Sequence, residues 1–120
     1  MQVNIERREG QVAVVTPEGR LDLASAPEFK EALINAVEAG DRILIVDLSK
    51  VPFVDSSGLG ALISGMKATR LAGGDLRIAQ VGEQARLILE LTTLDKVMKL
   101  YATVEEALVD HLTPVARKRC

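Results

Sequence analysis

A short aliphatic segment limits the folds open to this chain. Residues 42–48 read RILIVDL, a nearly continuous apolar run without the alternation of a half-exposed strand. A strand of this kind is buried on both faces, and such strands are usually parallel and central in a sheet. Parallel neighbours require long crossover connections, which are usually helices. The segment therefore predicts an α/β protein, and 120 residues suit one domain.

The remaining segments supply the other strands and the helices. Strands are predicted at residues 3–7, 11–16, 75–81 and 96–101, and helices at residues 25–39, 56–71, 84–92 and 103–112. The order β-β-α-β-α-β-α-β-α indicates a mixed, largely parallel sheet with right-handed crossovers. Glu9-Gly10 is a turn signal, so the first two strands are expected to form an antiparallel hairpin, and Pro17 to Gly19 is expected to end the second strand.

Capping signals and apolar spacing define the predicted helices. Ser25-Ala26-Pro27-Glu28 and Thr103-Val104-Glu105-Glu106 match the capping box, and Gly40 is expected to end the first helix. The inward residues are predicted, helix by helix, to be Phe29, Leu33, Ala36 and Val37; Leu59, Leu62, Ile63 and Met66; Leu87, Ile88 and Leu91; and Val104, Ala107, Leu108 and Leu112. We expect residues 1–112 to form the domain and residues 113–120 to be a flexible basic tail.

Charge and composition exclude several classes of function. The net charge is −2, the charges are interspersed, and there are two phenylalanines, one tyrosine and no tryptophan. A nucleic-acid-binding protein needs a concentrated basic face or a stacking platform, so no direct nucleic-acid partner is expected. The apolar runs are too short for membrane insertion and the N-terminus is too charged for a signal peptide, which predicts a cytoplasmic protein.

Cofactor and metal sites are not expected either. Cys120 is the only cysteine, which rules out a disulfide within one chain, and no His, Cys and Glu cluster suggests a metal. The oligomeric state is left open by the sequence.

The segment FVDSSGLGALI, residues 53–63, carries the strongest candidate site. It follows the buried strand and opens a helix, and sites in open α/β sheets form at the carboxyl ends of strands. Asp55, Ser56 and Ser57 are preferred capping residues, so a plain helix start is one interpretation. Gly58, Gly60 and Gly65 each cost about 0.5–1 kcal/mol in a helix. Their presence indicates close approach of the sheet, of a partner or of a phosphate.

Catalytic and nucleotide-binding patterns fit this segment poorly. A G-x-S-x-G nucleophile elbow needs glycine two residues before the serine, where this chain has Val54 and Asp55. Met66 interrupts the pattern of a phosphate-binding loop, and Gly58-Leu59-Gly60 matches only half of the dinucleotide-binding fingerprint. The only histidine, His111, is expected to be a solvated surface residue, so we predict that the protein is not an enzyme. A phosphate on Ser56 fits better, because it would lie at a helix N-terminus and would add about −1.5 to −2 charges beside Asp55.

The motif also resembles a known signature. Asp47-Leu48-Ser49, then Val51, Phe53 and the run Asp55-Ser56-Ser57-Gly58-Leu59-Gly60, is similar to the signature of bacterial anti-sigma factor antagonists of the STAS family. Gly19-Arg20-Leu21-Asp22 resembles the segment before that family's first helix.

The resemblance implies a partner-switching mechanism. The unphosphorylated protein would bind an anti-sigma factor that is also a serine kinase and so free a sigma factor. Phosphorylation of Ser56 would break the complex, and a serine phosphatase would restore it. The residues implied to face the partner are Asp22, Asp55, Ser57, Gly58 and Leu59, and the choice of Ser56 over Ser57 rests on the resemblance alone.

Two alternatives remain at this point. STAS domains also serve as scaffolds or as subunits of lipid and anion transport systems. The glycines and the helix N-terminus motivate a second alternative, a nucleotide-binding regulatory module.

Overall fold

The computed structural model describes residues 1–109 and contains a five-stranded sheet in the order β1-β2-β3-β4-β5. The strands are β1 (Gln2–Arg8), β2 (Val12–Glu18), β3 (Ile43–Asp47), β4 (Asp75–Ala79) and β5 (Leu100–Tyr101). The helices are α1 (Ala26–Glu38), α2 (Ser56–Leu71) and α3 (Glu83–Leu91), and residues 104–109 belong to a further helix, α4. β1 is antiparallel to β2, and the other neighbouring strands are parallel. The predicted mixed α/β fold is confirmed.

The aliphatic segment forms the central strand, as predicted. Leu44, Ile45 and Val46 are all 0% exposed. Alternate residues of the strands face two apolar clusters, one shared with α1, α2 and α3 and the other with α4. Helices thus cover both faces of the sheet, which is why β3 has no polar side.

The hairpin is confirmed, and β2 ends within the predicted segment Pro17 to Gly19, two residues later than the predicted strand end at Thr16. Gly10 and Gln11 take left-handed φ angles of 82° and 63° in the turn, and β2 then continues to Glu18. β2 pairs with β3 only over Val12–Val15. Pro17 lies beyond that pairing, where its missing N–H costs no hydrogen bond to β3.

Most predicted helix faces are confirmed. Phe29, Leu33 and Ala36 of α1 and Leu59, Leu62 and Met66 of α2 are buried, as are Val104 and Ala107 of α4. Val37, Ile63 and Leu108 are half-buried. Gly40, with a φ of 109°, follows α1 as expected. The predictions for Leu112, His111 and the tail at 113–120 lie outside the described residues.

The predicted inward face of α3 is largely wrong. Ala85 and Leu89 are the buried residues of α3, while Leu87 is 56% and Leu91 is 74% exposed. Of the predicted residues only Ile88 packs against the core. The side chain of Gln84 turns inward to bond with Val54, and residues 85, 88 and 89 lie on the same inward side of the helix.

The predicted strand at residues 96–101 is shorter than expected. Thr93 takes a left-handed φ of 59°, a 3₁₀ turn follows at Leu94–Lys96, and only Leu100–Tyr101 pairs with β4. Met98 is 0% exposed, so the chain enters the core before it joins the sheet. Local strand propensity does not predict the burial of Met98, because that burial depends on packing against distant parts of the chain.

One of the two predicted capping boxes is absent. Ser25 has helical angles and its side chain makes no cap hydrogen bond to α1. Its hydroxyl donates instead to the carbonyl of Arg20 (2.7 Å) and accepts from the N–H of Asp22 (3.0 Å). Glu28 accepts from the N-terminal amine, 3.1 Å away. The second predicted capping interaction is present at Thr103, whose hydroxyl accepts a hydrogen bond from the N–H of Glu106 (3.0 Å).

Candidate functional site

The chain entering α2 lies beside the chain entering α1. Leu21 and Val54 form a parallel bridge outside the named strands. The N–H of Leu21 donates to the carbonyl of Phe53 (2.9 Å), and the N–H of Asp55 donates to the carbonyl of Leu21 (3.1 Å). The bridge joins the two sequence motifs at the carboxyl ends of β2 and β3, the edge where the sequence analysis expected the site.

Asp55 caps α2. Its backbone is extended, with φ −108° and ψ −171°. One carboxylate oxygen accepts hydrogen bonds from the N–H groups of Ser57 (2.9 Å) and Gly58 (3.0 Å). The capping interpretation is therefore confirmed for Asp55. Two N–H groups at this helix N-terminus are thus bonded to a carboxylate and are not free to bind a phosphate on Ser56.

Asp22 binds two backbone N–H groups in the turn that precedes α1. Its Oδ1 accepts from the N–H groups of Ala24 (3.1 Å) and Ser25 (3.3 Å). Its Oδ2 lies 3.6 Å from Nε of Arg20, whose guanidinium stacks 4.2 Å from the centroid of the Phe53 ring. Two carboxylates and one cation thus surround the Leu21–Val54 bridge.

The two serines differ in accessibility. Ser56 is the first residue of α2 and its side chain is exposed, whereas Ser57 is half-buried. Ser56 is therefore the more accessible of the two serines.

Gly58 and Leu59 are buried. A Cβ on Gly58 would meet the carbonyl oxygen of Leu21 and would lie 2.8 Å from Cγ of that residue. The missing side chain therefore allows the first turn of α2 to pack on the bridge. Leu59 is 5% exposed and belongs to the core. In this conformation both residues position the site and present little side-chain surface to a partner.

The other two glycines of α2 have different environments. A Cβ on Gly65 would lie 2.5 Å from Cδ1 of Leu33, so Gly65 is needed where α2 packs against α1. Gly60 is exposed, and a Cβ added there would have no neighbouring atom within 4 Å. Internal packing explains Gly58 and Gly65 but leaves Gly60, one turn after Ser56, without a structural reason.

Gln84 is a site residue that the sequence analysis missed. Its side-chain oxygen accepts from the N–H of Val54 (2.9 Å) and its side-chain nitrogen donates to the carbonyl of Val54 (2.8 Å). The two residues are 30 positions apart in the chain. No local pattern signals such a contact, since a polar residue in the first turn of a helix is ordinary.

Other kinds of site are not supported by the described residues. Among residues 1–109, no group of three or more His, Cys, Asp or Glu side chains is arranged to hold a metal ion. Within the same range, no helix has both the length and the apolar character needed to cross a membrane.

Comparisons with known proteins identify the family. The model of the STAS domain matches residues 2–107. An anti-sigma-B factor antagonist of Staphylococcus aureus is 31% identical over 99 residues, which cover 82% of this chain and 92% of that protein. The crystal structure of an anti-sigma factor antagonist from Mycobacterium paratuberculosis has a TM-score of 0.82 at 31% identity and covers 92% of both chains.

A more distant structural relative is the anti-sigma factor antagonist SpoIIAA. Its unphosphorylated form has a TM-score of 0.77 at 22% identity and covers 89% of this chain and 93% of that one. Its phosphorylated form, from Bacillus, has a TM-score of 0.72 at 22% identity and covers 91% and 98%. At this identity the likeness shows the fold alone.

Proposed function

Because the chain belongs to the STAS domain family, we propose that it is an anti-sigma factor antagonist controlled by phosphorylation of Ser56. The unphosphorylated protein binds an anti-sigma factor with serine kinase activity and so frees a sigma factor in the cytoplasm. The kinase then transfers phosphate to Ser56, and a serine phosphatase removes it. The chain acts as a binding protein and a kinase substrate, with no catalytic role of its own.

The observation that carries this proposal is the exposed Ser56 hydroxyl at the start of α2, next to the carboxylate of Asp55. Phosphorylation adds about −1.5 to −2 charges at neutral pH. Asp55 already occupies the N–H groups of Ser57 and Gly58, so the new charge gains little from the helix terminus. A partner surface that accepts a neutral hydroxyl is repelled, and the fold need not change.

The remaining site residues have separate parts in the proposal. The partner contacts the partly exposed side chains of Asp22, Asp55 and Ser57. The buried residues Gly58 and Leu59 set the position of the start of α2. Gly60 allows the partner backbone to approach the exposed face of α2. The relatives named above as anti-sigma factor antagonists support the partner class, and SpoIIAA, which has this fold, has a phosphorylated form.

The test is a pull-down from lysate of the source organism with wild-type protein, Ser56→Asp and Ser57→Ala as parallel baits. We expect wild type and Ser57→Ala to retain an ATP-binding anti-sigma factor and Ser56→Asp to lose it. Mass spectrometry after incubation with ATP is expected to find phosphate on Ser56. Identical partners for all three baits, with no phosphate on either serine, would refute the switch and favour a scaffold role.

A further inference from the structure

The peptide groups of Val54 face away from the chain that bridges it. In a parallel bridge the hydrogen bonds run to the residues on either side of one partner, here the carbonyl of Phe53 and the N–H of Asp55. The N–H and carbonyl of Val54 therefore point to the opposite side. Val54 is 1% exposed, so these groups are shielded from water and need a protein partner.

Gln84 supplies that partner. Its amide group accepts from the Val54 N–H at 2.9 Å and donates to the Val54 carbonyl at 2.8 Å. A carboxamide carries one acceptor and two donors, so it can take the place of a neighbouring strand's peptide group. Residues 53–55 are thus held between the backbone of Leu21 and the side chain of Gln84, as a strand is held between two neighbours.

We propose that Gln84 is a positioning residue for Ser56: by fixing the Val54 peptide it sets where Asp55 caps α2 and where the Ser56 hydroxyl is presented. The path is short, because Asp55 follows Val54 directly and Ser56 follows Asp55. This inference deepens the proposed function, and its kinase assay rests on that function. The hydrogen bonds themselves do not depend on any partner.

The chemistry of this contact is specific to glutamine. Methionine has a similar length but can neither donate nor accept an equivalent pair of hydrogen bonds. Glutamate keeps an acceptor for the N–H of Val54 but places a second acceptor against the carbonyl, so one bond is replaced by repulsion. Burying an unpaired backbone group is unfavourable, so the segment in either variant is expected to shift or admit water.

The experiment compares wild type with Gln84→Met, Gln84→Glu and the control Ile88→Ala. Ile88 lies one turn further along α3, is half-buried and packs against the core. The control therefore damages the same helix while leaving the Val54 contact intact. Amide hydrogen exchange of Val54, Ser57 and Gly58 is measured against amides of β3, together with phosphorylation by the cognate kinase under conditions where all variants are folded.

In Gln84→Met we expect exchange at Val54, Ser57 and Gly58 to accelerate roughly tenfold or more relative to β3. In Gln84→Glu, which keeps an acceptor for the N–H of Val54, we expect a smaller acceleration at Val54. We expect kcat for phosphorylation of Ser56 to fall roughly tenfold to a hundredfold, since a misplaced acceptor reacts slowly, with a smaller change in KM. Ile88→Ala is expected to lower the unfolding temperature while leaving kcat and the relative exchange of these amides unchanged.

Two results would overturn the inference. Exchange at the three amides that stays at the wild-type rate in Gln84→Met would show that the contact does not hold the segment. An equal loss of kcat in Ile88→Ala would show that general damage to α3, and not the amide contact, slows phosphorylation. If the kinase does not phosphorylate even wild type, the proposed function fails, and the exchange measurement alone decides the role of Gln84.

Discussion

Asp22 and Asp55 occupy matching positions, since each directly follows one residue of the Leu21–Val54 bridge and each carboxylate accepts two backbone N–H groups. One stabilises the turn into α1 and the other stabilises the start of α2. The two carboxylates thus lie next to the Leu21–Val54 bridge, and Asp55 directly precedes Ser56. Capping and charge are separable, because asparagine caps a helix without carrying a charge.

Asp55→Ala is expected to lower the free energy of unfolding by about 0.5–2 kcal/mol, since the N–H groups of Ser57 and Gly58 lose their acceptor. Asp55→Asn is the matched control and is expected to retain most of that stability. Urea denaturation of the three proteins measures the difference. Equal stability of Asp55→Ala and wild type would show that the cap contributes nothing.

Gly58→Ala and Gly60→Ala are expected to change stability in opposite directions. A Cβ at 58 collides with the backbone oxygen of Leu21, whereas a Cβ at 60 meets nothing within 4 Å. We expect the first variant to be destabilised by about 1–3 kcal/mol through overpacking. The second is expected to gain about 0.5–1 kcal/mol because alanine favours the helix. Thermal unfolding measures both, and two changes of the same sign would contradict the packing described for α2.

Gly60→Ala also tests the proposed partner surface. If the partner backbone approaches α2 at Gly60, the added methyl group is expected to weaken binding of the anti-sigma factor roughly tenfold even though the domain becomes more stable. Titration calorimetry with the partner measures the affinity. Substituting Leu71, which is 90% exposed at the other end of α2, provides a control that should bind normally. Unchanged affinity in Gly60→Ala would place the interface elsewhere.

Leu89→Ala and Leu91→Ala distinguish the observed face of α3 from the predicted one. Leu89 is 1% exposed and Leu91 is 74% exposed. Truncating the buried residue is expected to cost about 2–5 kcal/mol through lost contacts and a cavity. Truncating the exposed one is expected to change the stability by less than about 0.5 kcal/mol. Chemical denaturation measures both, and the reverse ranking would support the face predicted from the sequence.

Local signals in the sequence were sufficient where neighbours along the chain decide the outcome. The aliphatic run at β3, the turn at Gly10, the glycine after α1 and the spacing of Leu59, Leu62 and Met66 each predicted the correct element. Ser25 shows the limit of this reasoning. The capping pattern was present, but the hydroxyl of Ser25 donates to the carbonyl of Arg20, a partner outside the helix that the pattern does not reveal.

The sequence alone determined the type and order of the elements, the central strand and the motif that contains Ser56, because periodicity, capping and turn preferences act over a few residues. Only the tertiary structure decided that Asp22 lies beside Asp55, that Gln84 holds Val54 and that α3 turns Leu89 rather than Leu91 inward. These contacts join residues far apart in the chain. The hydrogen bonds that hold Val54 and its neighbours form because buried peptide groups must find partners once the sheet and helices have packed, and Leu89 turns inward because its apolar side chain is buried there.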